Sequence, residues 1–65
     1  MTNKEVAKVL DGEAWIEYEG NLYEHTGQRG EKHEFTGIEF PMFAPILVSE
    51  RALRLSSEFY YTEKY

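Results

Sequence analysis

EAWIEYEGNLYEHTGQRGEKHEF, residues 13–35, alternates apolar and polar side chains on either side of two glycine-containing turns, and reads as two consecutive β-hairpins. Gly20-Asn21 between the first two runs suits a two-residue type II′ turn with glycine in its first central position. That turn pairs Tyr18 with Tyr23 and Ile16 with His25. Side chains on a strand point alternately to opposite faces. One face therefore carries Ala14, Ile16, Tyr18, Tyr23 and His25, and the other carries Glu13, Trp15, Glu17, Glu19, Leu22 and Glu24. The first can be a core. The second is an acidic face with a tryptophan in it.

Gly27-Gln28-Arg29-Gly30 is the next turn. A four-residue loop would set Leu22 against Phe35. A five-residue loop pairs Thr26 with Lys32, His25 with His33 and Tyr23 with Phe35. A one-residue slip exchanges the two faces, and the five-residue loop is preferred because it gathers Ile16, Tyr18, Tyr23 and Phe35 on one side.

Upstream, Thr2-Asn3-Lys4-Glu5 fits a capping box and Gly12 stands where a helix-terminating glycine would. Val6, Val9 and Leu10 share a helical face between them, so residues 3–11 read as a helix. Downstream, Gly37 to Pro45 is a loop rich in apolar residues (Ile38, Phe40, Met42, Phe43), bounded by Pro41 and Pro45. It either covers the end of a small barrel or is held out for a partner. Residues 46–48 read as extended, and Ser49 opens a turn or caps a short helix. Residues 51–55 read as a strand on the alternation of Leu53 and Leu55, and residues 58–63 as a last strand, with Glu63-Lys64-Tyr65 frayed. The expectation is one α+β domain, mainly β, over residues 1–65. It has a short N-terminal helix and a four- to five-stranded antiparallel sheet or SH3-like half-barrel, with strands near 13–19, 22–26, 32–36, 51–55 and 58–63.

A chain of 65 residues lies near the lower size limit for folding alone, and without cysteine it has no disulfide to staple it. Self-association or a partner is the expected remedy. Twelve acidic residues against seven basic give a net charge of −5, which disfavours nucleic acid and anionic membranes as partners. The same charge suits a basic protein surface. The absence of cysteine and of any long apolar run reads as a cytoplasmic protein with no membrane span.

No motif specifies a reaction. Cysteine nucleophile, nucleophile elbow and P-loop are all missing, and carboxylates spread along a strand face lack the pocket that acid–base catalysis requires. The expectation is no enzyme, no cofactor and no metal. His25 and His33 approach each other across the second hairpin, but Glu24 and Glu34 point to the other face, leaving only Glu31 to complete a ligand set. Without metal the pair is a pH-sensitive contact. A third, less favoured reading is a single-stranded nucleic-acid module that stacks bases on Trp15, Tyr18, Tyr23, Phe35, Tyr60 and Tyr61; glutamates interleave these rings where a positive groove would be needed, and only Arg29, Lys32, Arg51 and Arg54 supply charge. What remains is a docking surface. Trp15 ringed by Glu17, Glu19 and Glu24 is the first candidate, and the loop residues Phe40, Met42 and Phe43 are the second.

In organisation, the helix TNKEVAKVLDG, the hairpin AWIEYEGNLYE, the acidic balance and the missing cysteines resemble small accessory proteins encoded by phages and prophages of Gram-positive bacteria. The resemblance implies an inhibitor that occupies the surface of a host defence or nucleic-acid enzyme in the host cytoplasm, and it assigns no residue a role. The expected function is thus a small acidic, non-enzymatic protein-binding module. The alternative is a structural homo-oligomer that meets itself, as a homodimer for instance, through its aromatic surfaces.

Overall fold

The computed structural model describes residues 1–64 and begins with helix α1 (Asn3–Leu10). Thr2 Oγ1 accepts from the Glu5 amide at 3.1 Å, and Glu5 Oε1 accepts from the Thr2 amide at 2.9 Å, completing the capping box. Asp11 is the C-cap. Gly12 follows at φ 79°, and the amides of Gly12 and Glu13 donate back to the carbonyls of Val9 and Lys8. The helix ends one residue earlier than its sequence suggests.

Five strands follow: β1 (Ala14–Tyr18), β2 (Asn21–Arg29), β3 (Lys32–Gly37), β4 (Ile46–Ser49) and β5 (Phe59–Glu63), with helix α2 (Glu50–Leu55) between the last two. They form one open antiparallel sheet in the order β4-β3-β2-β1-β5, so the fold is α+β, mainly β. The edges β4 and β5 do not pair with each other, so the open sheet is the form adopted and the half-barrel is not. Tyr65, expected to fray, lies outside the described residues.

Both hairpin registers differ from those expected. In the first, Ile16 faces Tyr23 and Tyr18 faces Asn21, so the turn is Glu19-Gly20. Both turn residues have positive φ, 50° and 82°, as a type I′ turn requires. Relative to the expected pairing the partner strand moves by two residues. An even shift leaves every side chain on its own face, so the division into faces survives.

In the second hairpin β2 continues to Arg29, opposite Lys32, and only Gly30-Glu31 connects the strands. A bulge between His25 and Gly27 inserts Thr26 as an extra residue. Thr26 and Gly27 both lie toward Glu34: Thr26 Oγ1 reaches the Glu34 carbonyl at 3.3 Å and Thr36 Oγ1 at 2.9 Å. The bulge changes parity once within the strand. That is how Tyr23, His25 and Gln28 all fall on the face of Phe35 and His33, which no choice of loop length alone achieves.

Residues 51–55 form a helix, correcting the expected strand. Ser49 Oγ accepts from the Ala52 amide at 3.1 Å, and Glu50 and Arg54 make an i, i+4 ion pair at 3.0 Å. Leu53 is fully buried and Leu55 is 72% exposed, which strand alternation would not allow. The element is too short for its period to separate the two readings.

Both helices lie on one face of the sheet. Val6 and Val9 of α1 and Leu53 of α2 meet Ala14, Ile16, Phe35 and Val48, while Tyr23, Ile46, Phe59 and Tyr61 close the margins. No helix among the described residues is long and apolar enough to cross a membrane.

Candidate functional site

The opposite face of the sheet carries no helix. The cross-strand registers arrange it in rows: Leu22, Glu17 and Tyr60 in one, Thr36, Glu24, Trp15 and Thr62 in the next, and Leu47 beside Glu34 and Thr26 toward β4. Tyr60 is 61% exposed, Leu47 is exposed and Trp15 is half-buried. Trp15, Glu17 and Glu24 therefore share one surface, as expected.

Glu19 does not join them. It stands in the β1–β2 turn with its carboxylate beside the Tyr18 hydroxyl. That negative charge, helped by partial desolvation and by Glu58, pushes the Tyr18 phenol above its ordinary value. Positive φ at Glu19 sends its side chain out of the strand alternation, a consequence of the type I′ turn that the expected turn placement missed. Glu13 likewise precedes β1.

The acidic character of this face is partly answered from within the chain. Lys64 Nζ lies 3.6 Å from Glu24 Oε1, across the strand that carries Trp15, and Arg29 lies 3.1 Å from Glu34. Glu17 is exposed at the centre. The surface is better described as an apolar and threonine-rich field crossed by ion pairs than as a ladder of free carboxylates.

The loop after β3 stands at the end of this face. Phe40-Pro41-Met42-Phe43 is a turn closed by the Phe43 amide donating to the Phe40 carbonyl at 3.2 Å, with proline in its favoured second position. The Phe40 and Phe43 rings stack at 5.5 Å. The loop folds back over Gly37, where a Cβ would meet the Phe40 carbonyl oxygen at 3.1 Å. Phe40 and Phe43 line a shallow cleft with Leu22, Tyr23 and Ala44. Met42 and Phe43 are 73% and 66% exposed, so the loop does not act as a buried plug. Leu22 belongs both to the bare face and to the cleft and makes the two expected sites one continuous surface. Tyr60 and Leu47 were missed as members of it. The strand pattern already put Tyr60 opposite Phe59 and Tyr61, but only the pairing of β5 with β1 brings it beside Glu17.

On the helix-bearing face His25 and His33 meet, as expected, although diagonally: His25 faces Phe35, and His33 faces Gln28. His25 Nε2 lies 3.0 Å from His33 Nδ1, and His33 Nε2 lies 3.7 Å from Glu50 Oε1. His33 is buried. Burial, and then the charge of His33, hold the His25 imidazole below its ordinary value, opposed by the carbonyls of Gly27 and Leu10. Glu31, the one carboxylate considered as a third metal ligand, sits in the β2–β3 turn. Among the described residues no group of three or more histidines and carboxylates is placed to hold a metal ion.

Against known protein families, curated proteins and solved structures, the chain matches none.

Proposed function

We propose that this chain is a small, non-enzymatic protein-binding module that docks through the bare face of its sheet together with the Phe40–Phe43 loop. The observation that carries this reading is the segregation of both helices to one side. It leaves Tyr60, Leu47, Leu22 and Trp15 facing outward and continuous with an exposed aromatic loop. Aromatic anchors surrounded by polar and charged groups have the make-up of a protein interface, where burial of a few large rings supplies most of the affinity. The partner is a protein, and Glu17, exposed at the centre of the face, favours basic residues on it. An inhibitor of a host defence or nucleic-acid enzyme, of the phage-encoded kind that the sequence resembles, fits such a surface.

The test is co-purification from host lysate with Tyr60→Ala and Phe43→Ser compared against wild type and against Lys4→Ala on the helix side. Loss of one retained protein in the first two variants alone supports the reading. Equal retention by all four sinks it.

A second reading, self-assembly, is favoured by β5. It is an edge strand of aromatic and β-branched residues with no proline, whereas β4, the other edge, is only four residues long and follows Pro45. A mass that rises with concentration in light scattering, and returns to the monomer value with Thr62→Pro, would select it.

A further inference from the structure

We propose that β5 is the seam of a two-fold homodimer, pairing antiparallel with β5 of a second copy about Tyr61, so that the two five-stranded sheets run on as one. This seam rests on the self-assembly reading and specifies its interface. It also joins the bare faces of both copies on one side, which enlarges the surface available for docking.

The direction of each backbone group on β5 follows from the registers. Tyr18 and Asn21 flank the two-residue Glu19-Gly20 turn, so they exchange hydrogen bonds with each other, and alternation turns Ile16 the same way, toward β2. Trp15 and Glu17 therefore point their amides and carbonyls the other way, to β5, where they meet Thr62 and Tyr60. That leaves the amides and carbonyls of Phe59, Tyr61 and Glu63 directed outward. Among the described residues nothing pairs with that side of β5. The devices that blunt an edge are missing from the strand itself: its register against β1 runs without a bulge, and it contains no proline and no lysine. β4, the other edge, is shorter, follows Pro45 and runs directly into α2.

An antiparallel partner must set outward groups against outward groups. Pairing of β5 with its own copy is therefore restricted to registers in which odd-numbered residues face odd-numbered ones. Centred on Tyr61, the register opposes Phe59 to Glu63, Tyr60 to Thr62 and Tyr61 to itself, and every outward group is engaged. Centring one residue earlier or later leaves an end of the strand unpaired. The Tyr61 centre also brings Glu58, just before the strand, opposite Lys64, just after it, at each end of the seam. No other centre on the strand does so. Opposite charges facing across a ladder stabilise it, and like charges do the reverse. Lys64 already lies 3.6 Å from Glu24 of its own chain, and Glu58 of the second copy arrives on its other side.

The helices leave room for this. α1 sets Val6 and Val9 against Ala14 and Ile16 of β1, and an open trough lined by Lys4, Glu5, Lys8, Tyr61 and Glu63 separates it from the edge. Three strand spacings place β1 of one copy about 14 Å from β1 of the other, beyond the roughly 8–10 Å at which helices pack. The Tyr61 rings of both copies stand in the gap.

Light scattering and amide exchange on the wild-type chain, from about 10 μM to about 1 mM, test this. The mass should rise to twice that of the monomer and stop there, because pairing uses up β5 in both copies. Over the same range the amides of Phe59, Tyr61 and Glu63 should slow by at least about tenfold, whereas those of Tyr60 and Thr62, already bonded to β1, should not change. Glu58→Lys and Lys64→Glu each set like charges at both ends of the seam and should weaken dimerisation at least about threefold. An equimolar mixture of the two variants restores opposite charges at both ends and should recover it. A chain that stays monomeric overturns this proposal and the self-assembly reading together. Slowing of the outward amides only when a lysate protein is added assigns the edge to a foreign strand and overturns the proposal too. A dimer whose outward amides still exchange freely, or whose variants gain nothing on mixing, overturns the β5 seam alone.

Discussion

Tyr18 and Phe59 are register partners at one end of β1 and β5, and their rings stack with centroids 4.9 Å apart and planes 21° from parallel. Tyr23 approaches the same Tyr18 ring at 6.3 Å, so three strands meet in one aromatic cluster on the helix-bearing side. Phe59 is the first residue of an edge strand that no hairpin ties to its neighbour. The stack is therefore expected to anchor β5.

Phe59→Ala should destabilise the chain by about 2–4 kcal/mol, combining lost burial with the loss of a ring pair. Amide exchange should speed most along Phe59–Glu63. Uniform protection across β5 in the variant would show that the strand is held elsewhere.

Leu53→Ala should cost about 2–5 kcal/mol, and Leu55→Ala less than about 0.5, because the helix buries the first and exposes the second. A strand over residues 51–55 would make the two losses similar, so urea midpoints of the pair test the secondary structure directly.

Glu19 holds φ at 50° in a turn whose two central positions favour Asn-Gly. Glu19→Asn should raise stability by about 0.5–1 kcal/mol by relieving the left-handed backbone. Thermal unfolding reads the gain. An unchanged or lower midpoint would mean that the contact of the Glu19 carboxylate with Tyr18 outweighs the backbone strain.

Burial, reinforced by His33, lowers the His25 pKa from its ordinary 6.5, so the unfolded chain binds that proton more tightly than the folded one. The stability this represents is complete above pH 6.5 and is lost as the pH falls through the folded-state value. Urea midpoints should decline below about pH 6.5, and His25→Gln should flatten that part of the decline.

Met42→Ser with Phe43→Ser should leave the unfolding midpoint within about 0.5 kcal/mol of wild type, since both side chains stand mostly in water. A large loss would mean that the loop closes the core.

Alternation along residues 13–26 decided which side chains turn inward, because period two is a local property of an extended chain. It places Ile16 and Ala14 in the core and Glu17 outside whichever of the two turns closes the hairpin, since those turns differ by an even shift. The capping box and Gly12 marked α1 for the same reason: each is satisfied within a few residues. Tertiary contacts decided the rest. The bulge at Thr26 exists because the register set by the Gly30-Glu31 turn would otherwise put Tyr23 and His25 on the face opposite Phe35 and His33, and α2 forms because Leu53, and not Leu55, has a place against Val6 and Val48. The pairing of β5 with β1 joins residues more than forty positions apart, and it alone sets Tyr60 beside Glu17. Local geometry thus fixed which side of each strand is greasy. Which of those sides remain uncovered depended on where the two helices came to rest.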